Sequence, residues 1–163
     1  MMTKPQQNPE GYGTVTPWVV TSDTRRLLEF IKRAFDAEEL GRVEVAGGAI
    51  GHAEARIGDS IIMMFDSPFP VATPGLLRLY VADGHSVVDR AVAAGATVVT
   101  RPTELAWGDR VGRVRDPLGN IWWIQERVEE PSPDEAARRL QDPKFIEAMQ
   151  YLQSTLPRAL DPA

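Results

Sequence analysis

The chain has 163 residues, 43% of them hydrophobic and 25% charged, so it is long and apolar enough to bury the core of a folded domain. It contains no cysteine and only two histidines, which excludes disulfides, thiolate nucleophiles and metal centres built from several histidines. The net charge of −5 disfavours nucleic acid and anionic membranes as partners, and no apolar run approaches the roughly 20 residues that span a bilayer. Because the first residues, MMTKPQQNPE, lack the apolar stretch of a signal peptide, we expect a cytoplasmic protein.

The first half of the chain predicts a strand, a helix and three further strands. Residues 1–13 are polar and are expected to form a flexible arm. A β-rich run follows at Thr14–Thr21, and apolar residues at helical spacing predict a helix over Asp23–Ala37, with Ser22 or Asp23 as its N-cap. Glycine-containing turns then separate three strand candidates, which are Leu40–Val45, Ile50–Ile57 and Ser60–Phe65.

The second half repeats this order. A strand is predicted at Leu76–Val81 and a helix at His85–Ala94, followed by three strand candidates, Thr97–Thr100, Arg110–Arg115 and Asn120–Gln125. Asp23 and Asp83 both follow the first strand of a half, and they are 60 residues apart. This offset predicts a duplicated βαβββ module, over residues 14–66 and 76–126, rather than a coincidental α+β sandwich.

A helical extension is predicted over residues 127–163. Its first helix, over residues 132–141, has Ser132 as N-cap and acidic residues near its start. A second, amphipathic helix restarts at Asp142 and is expected to stop at Pro157. This helix either packs on its own domain or contributes to a dimer contact, and the pattern leaves both possibilities open.

Three stretches resemble the vicinal oxygen chelate superfamily, which includes glyoxalase, bleomycin resistance protein and extradiol dioxygenase. They are GHAEARIGDSIIMMFD (51–66), RLYVADGHSVVDRAVAAGATVV (78–99) and WGDRVGRVRDPLGNIWWIQE (107–126). The resemblance covers residues 14–126 and implies an α+β fold in which two βαβββ modules form curved sheets around a cavity. It also implies a homodimer, although the sequence does not decide whether modules pair within one chain or across two.

Metal-dependent members of that family place one ligand on the first and one on the last strand of each module. Carried over by motif, those positions are Thr16, Met63, Leu76 and Trp123. A thioether, an alkyl group and an indole do not hold a hard or borderline divalent cation, and one hydroxyl alone is a weak ligand. The resemblance therefore implies a branch without the family metal site, and we expect no metal and no cofactor.

Alternation along the strands places a set of mostly aromatic side chains on the cavity side, with Trp107 at its mouth. The predicted ligand-binding residues are Thr16, Trp18, Met63, Phe65, Arg78, Tyr80, Trp107, Trp123 and Gln125. Such a lining suits a flat or aromatic ligand, with Arg78 able to fork onto a carboxylate or lie over a ring. The alternative is that these side chains only fill the space between the two modules.

Two further groups of polar residues bear on the chemistry. His52 and Glu54 lie two residues apart on one predicted strand and could form an acid–base pair, although this spacing is also common on plain exposed faces. Arg110, Arg113 and Arg115 alternate along another strand among acidic neighbours and are predicted to be a solvated strand face.

These patterns favour a metal-independent protein of the glyoxalase/bleomycin-resistance type that sequesters a hydrophobic or aromatic small molecule. Nucleic acid and membranes are not expected as partners. One alternative is a glyoxalase-like lyase or isomerase that uses His52 and Glu54 or a non-standard metal site. Another is a structural or regulatory dimer whose cavity is filled.

Overall fold

The computed structural model describes residues 7–69 and 73–160, with only the backbone of Ala159. Residues 1–6 of the predicted arm lie outside the described residues. The chain forms two compact units, Met1–Pro74 and Gly75–Ala163, and each is described by itself. No helix within the described ranges is both long and apolar enough to cross a bilayer.

The first unit is a βαβββ module with one four-stranded sheet. Its elements are β1 (Trp18–Thr21), α1 (Thr24–Phe35), β2 (Glu38–Glu44), β3 (Ile50–Ile57) and β4 (Ser60–Asp66). The strand order is β1-β4-β3-β2, with β1 parallel to β4 and the other pairs antiparallel. This confirms the predicted α+β class and element order.

The second unit repeats the module and adds two helices. Its elements are β5 (Leu76–Tyr80), α2 (Gly84–Ala93), β6 (Thr97–Glu104), β7 (Asp109–Arg115), β8 (Ile121–Arg127), α3 (Pro133–Arg139) and α4 (Pro143–Leu160). The order β5-β8-β7-β6, with β5 parallel to β8, matches the sheet of the first unit.

The offset of 60 residues holds at the level of single hydrogen bonds. Asp23 accepts a bond from a backbone N–H in the first turn of α1, and Asp83 accepts one in the first turn of α2, both at 3.0 Å. An acidic residue on the last strand of each module, far away in sequence, also accepts a hydrogen bond from the start of the helix. Asp66 accepts from the first N–H of α1 at 2.6 Å, and Glu126 accepts from the first N–H of α2 at 2.8 Å. Both pairs of equivalent residues are 60 apart, as predicted.

Each sheet buries one face under its own helix. On β1, β3 and β4 the buried side is formed by Val19, Ala53, Ala55, Ile62 and Met64; on β7 and β8 it is formed by Val114, Trp122 and Ile124. We call the opposite side of each sheet its open face. In the first unit the open face carries Trp18, His52, Glu54, Met63 and Phe65, and in the second it carries Leu76, Arg78, Tyr80, Val111, Arg113, Trp123 and Gln125.

Helix α4 lies on the open face of the second unit. Leu152 is buried against Leu105 and Val111, and Met149 packs beside it. The Thr100 and Thr155 hydroxyls share a hydrogen bond of 2.7 Å, which ties α4 to β6. The helix therefore packs on its own unit, above β6 and β7, and leaves the β5 side of the face uncovered.

Several predicted boundaries are wrong, among them the end of β6, which runs to Glu104 rather than Thr100. β1 begins at Trp18 rather than Thr14, because Pro17 has no N–H to donate to a ladder, although its carbonyl accepts from the Met63 N–H at 2.9 Å. Helix α4 continues through Pro157 to Leu160. A proline this close to the end of a helix removes one hydrogen bond without preventing the last turn.

Candidate functional site

An aromatic cluster lies on the open face of the first unit. The Trp18 ring centroid is 5.6 Å from that of Phe65, in an edge-to-face arrangement, and 5.3 Å from that of His52. The three residues meet because β1 and β3 both pair with β4, which places their open-face side chains side by side. Trp18 remains 49% exposed, so its indole is accessible.

A hydrogen-bonded chain runs beside this cluster from the arm to β3. His52 Nε2 and Glu54 Oε1 share a hydrogen bond of 2.8 Å, and the Tyr12 hydroxyl donates to the other oxygen of Glu54. The Tyr12 hydrogen bond, followed by the one with His52, lowers the pKa of Glu54, and the same Tyr12 bond raises the pKa of the phenol. Glu54 is therefore a carboxylate at neutral pH and is placed to orient the His52 ring.

The predicted acid–base pair is thus brought into contact, with Tyr12 as a third member. No feature of the polar N-terminal segment singled out Tyr12 as part of a site. Gly11 approaches Ile61 on β4, so the described end of the arm lies across the open face rather than away from it.

A different cluster lies on the open face of the second unit. β8 runs between β5 and β7, so Arg78 and Arg113 flank Trp123 from its two sides. The Arg78 guanidinium carbon is 4.6 Å from the indole centroid and that of Arg113 is 3.7 Å away. Both distances are within the range of cation–π attraction.

The prediction of a solvated arginine face is wrong for Arg113. It is only 2% exposed, because α4 covers it, and its Nη1 donates to the Leu152 carbonyl at 2.8 Å and to Thr100 Oγ1 at 3.2 Å. Arg110 is also largely covered and forms ion pairs with Glu104 and Glu126. The sequence predicted the C-terminal amphipathic helix itself, but not its packing over Arg113.

Gln125 and Trp107, both predicted to contact a ligand, form hydrogen bonds within the second unit. Gln125 is buried, and its side-chain amide donates to Asp109; the Trp107 indole N–H donates to the same carboxylate oxygen at 3.2 Å. Trp107 lines a pocket of about 180 Å³ with Phe145, Met149 and other residues of the C-terminal helices. Asp109, which the sequence did not single out, holds both side chains in place.

The remaining predicted residues are placed as follows. Thr16 precedes β1 and lies outside the sheet, Met63 is half-buried on the open face of the first unit, and Tyr80 is exposed on that of the second. Leu76 pairs with Ile121 in the sheet register.

The donors at the four family metal positions do not fit a metal ion. Thr16, Met63, Leu76 and Trp123 offer one hydroxyl, a thioether, an alkyl group and an indole, none of them an imidazole or carboxylate. Within residues 7–69 and 73–160, no three His, Cys, Asp or Glu side chains are grouped closely enough to hold a metal ion. Metal independence itself stays a prediction.

The chain is similar to a known protein family and to proteins of two mycobacteria. A family model for the Glyoxalase/Bleomycin resistance protein/Dioxygenase superfamily matches residues 12–124. An uncharacterized protein of Mycobacterium bovis is 38% identical over 133 residues, covering 74% of this chain and 88% of that protein. An uncharacterized protein of Mycobacterium tuberculosis shows the same identity over 74% of this chain and 78% of its own length.

Solved structures share the fold. TioX from Micromonospora sp. ML1 matches with a TM-score of 0.61 and 26% identity, covering 71% of this chain and 99% of that one. A glyoxalase/bleomycin resistance protein/dioxygenase family enzyme from Burkholderia phytofirmans PsJN matches at 0.57 with 20% identity, over 68% and 94% of the two chains. The fosfomycin resistance protein FosX from Mesorhizobium loti matches at 0.54 with 15% identity, over 78% and 98%. The last two likenesses concern the fold alone.

Proposed function

The chain belongs to the Glyoxalase/Bleomycin resistance protein/Dioxygenase superfamily, and we propose that it binds a small hydrophobic or aromatic molecule without a metal ion. One fold in this superfamily carries many chemistries, so the proposal is argued from the side chains on the open faces.

The exposed aromatic cluster on the first unit carries the proposal. Trp18 leaves half of its surface in water although Phe65 and His52 lie against it. Large apolar side chains grouped on an exposed surface are typical of binding sites. A flat ligand stacked on Trp18 gains about 0.5–1.5 kcal/mol beyond the free energy of burial alone.

The second unit offers a smaller platform of the same kind. Leu76 and Tyr80 are exposed on β5, and Trp123 is half-buried at the edge of the area that α4 covers. The donors at the family metal positions, which lack imidazole and carboxylate groups, support the metal-independent part of the proposal.

The test uses a neutral aromatic probe, N-phenyl-1-naphthylamine, whose fluorescence rises when it leaves water. We expect saturable binding to protein dialysed against EDTA, and a loss of about fivefold in affinity in Trp18→Ala, because one stacked ring is worth about 1 kcal/mol. Phe69→Ala is the matched control, since Phe69 is an exposed aromatic residue just after β4 and outside the sheet.

Two results would contradict the proposal. One is probe binding that occurs only after a divalent metal is added. The other is an equal loss of affinity in the Trp18 and Phe69 variants, because general surface hydrophobicity would then account for the signal.

A second candidate function is acid–base catalysis of the lyase or isomerase type. The hydrogen bond of 2.8 Å between His52 and Glu54 favours it, because a carboxylate that orients an imidazole is the usual arrangement around a general base. Tyr12 holds the carboxylate from its other side.

A metal-dependent form of the second candidate is separated from metal-free binding by the ring signals of the two histidines in an NMR titration with Zn²⁺, Ni²⁺, Mn²⁺ or Fe²⁺. His85, exposed at the start of α2, is the internal control. We expect neither ring to respond at one equivalent of metal. A stoichiometric change confined to His52 would contradict metal-independent binding and favour the enzyme.

A further inference from the structure

Two arginines on the open face of the second unit differ from the ion-paired cations of the described residues. Arg25, Arg42 and Arg110, for example, are paired with carboxylates at 2.8 Å or less. Arg78 and Arg113 contact the Trp123 ring instead, and no carboxylate in the described part of their unit, residues 75–160, pairs with either of them. Two positive charges therefore lie beside one indole, and no described carboxylate of this unit forms an ion pair with either of them.

Arg113, the buried member of this pair, is a cation that solvent does not surround. Arg113 is only 2% exposed. Neither its Nε nor the Nε1 of Trp123 has a hydrogen-bond acceptor among the described residues. Burial, with a smaller contribution from the charge of Arg78, lowers the pKa of Arg113 to about 10. The group thus stays protonated at neutral pH, in a place where an unpaired charge is costly.

We propose that the molecule bound on this open face carries an oxyanion, a carboxylate or phosphate group, and that Arg78 pairs with it beside Trp123. The inference rests on the proposed function and adds the charge of the ligand to it. Arg78 is exposed and can present its two-pronged edge to the oxyanion, while the planar body of the ligand lies against the indole.

Arg113 strengthens this site without touching the ligand. Its guanidinium carbon lies 3.7 Å from the indole centroid, well inside the Debye length of about 8 Å at physiological salt, so its charge is felt at the ring surface. The chain as a whole carries a net charge of −5, so this positive spot is local rather than a property of the whole surface.

The experiment compares three probes of one shape by isothermal titration calorimetry. They are 2-naphthoate, 2-naphthyl phosphate and the neutral 2-naphthamide. We expect at least one of the two anions to bind about tenfold more tightly than the amide, since a guanidinium–oxyanion pair is a strong, charge-assisted hydrogen bond. The preference should fall as salt is raised, and the two anions together distinguish a carboxylate from a phosphate ligand.

Arg78→Gln should abolish the preference for the anion, so that neither anion binds more tightly than 2-naphthamide does. Arg101→Gln is the matched control, because Arg101 is an exposed arginine on β6, two strands away from β8, and its loss changes the net charge by the same amount. Circular dichroism verifies that both variants are folded.

The outcomes separate the inference from the function on which it rests. If the amide binds as tightly as both anions, or if the preference survives in Arg78→Gln, the inference is wrong while aromatic binding stands. If none of the three probes binds the wild-type protein, the proposed function fails and the inference fails with it.

Discussion

Replacing Asp116 with alanine tests how the last hairpin of the second unit is held. Asp116 is only 3% exposed and accepts four hydrogen bonds. Its Oδ1 accepts from the backbone N–H groups of Leu118 and Asn120 at 2.8 and 3.0 Å. Its Oδ2 accepts from the Asn120 side-chain amide at 2.8 Å and from the Trp122 indole at 2.9 Å.

The size of the effect follows from which donors water can reach. Asn120 and Trp122 are buried, so their three donors lose the Asp116 carboxylate without gaining solvent. Each buried donor left without its acceptor costs about 1–3 kcal/mol, which places the total loss near 4 kcal/mol. In urea, where a domain of this size loses about 2 kcal/mol of stability per molar, the unfolding midpoint should fall by about 2 M.

The assay is urea unfolding at 25 °C followed by circular dichroism, with Asp59→Ala as the matched control. Asp59 lies in the equivalent turn between β3 and β4 but is exposed, and the Ser60 hydroxyl donates to it at 3.0 Å. Its removal should change stability by no more than about 0.5 kcal/mol. If Asp116→Ala costs less than about 1 kcal/mol more than the control, the buried carboxylate does not hold the hairpin and the reasoning is refuted.

Two further predictions concern the arm and a tight turn. Tyr12→Phe removes the hydroxyl whose hydrogen bond contributes most to lowering the pKa of Glu54 from 4.5, so an NMR titration of that carboxyl should give a higher midpoint in the variant. Because the pKa of Glu54 is lower in the folded protein, its contribution to stability is present above pH 4.5 and is lost as the pH falls through the folded pKa. This loss of stability at acid pH should be smaller in Tyr12→Phe. An unchanged dependence of stability on pH in the acid range would contradict the assignment. Gly108→Ala should lower the melting temperature much more than Gly119→Ala, since both have positive φ but only at Gly108 would a Cβ clash with the Glu129 carbonyl; equal losses would mean that backbone strain alone decides.

Register was predictable because residues with specific turn and cap chemistry mark it. Asp23 and Asp83 begin the two helices through side-chain bonds to the first turn, which is a local interaction visible in the sequence. The turn that starts at Asp116, closed by a hydrogen bond from the Gly119 N–H to the Asp116 carbonyl, sets the pairing of β7 with β8, and with it the position of Arg113 opposite Trp123.

Burial by distant segments was not predictable from local patterns. Arg113 belongs to a strand with alternating charges, and only the return of α4 over β6 and β7 removes it from water. Tyr12 reaches Glu54 across 42 positions of sequence from a segment without hydrophobic periodicity. Both contacts depend on tertiary packing that leaves no periodic signal in the residues themselves.

The indole N–H signals of the four tryptophans offer the most direct test of metal-free binding on the open faces. In a ¹H–¹⁵N NMR titration of EDTA-dialysed protein with N-phenyl-1-naphthylamine, the Trp18 and Trp123 signals should shift as the probe binds. The shift of each signal should follow a single saturation curve for the open face on which that tryptophan lies. The Trp122 signal should stay in place, because that ring is fully buried beneath α2. Signals of Trp18 and Trp123 that remain still at saturating probe, or that move only after a metal ion is added, would contradict the account.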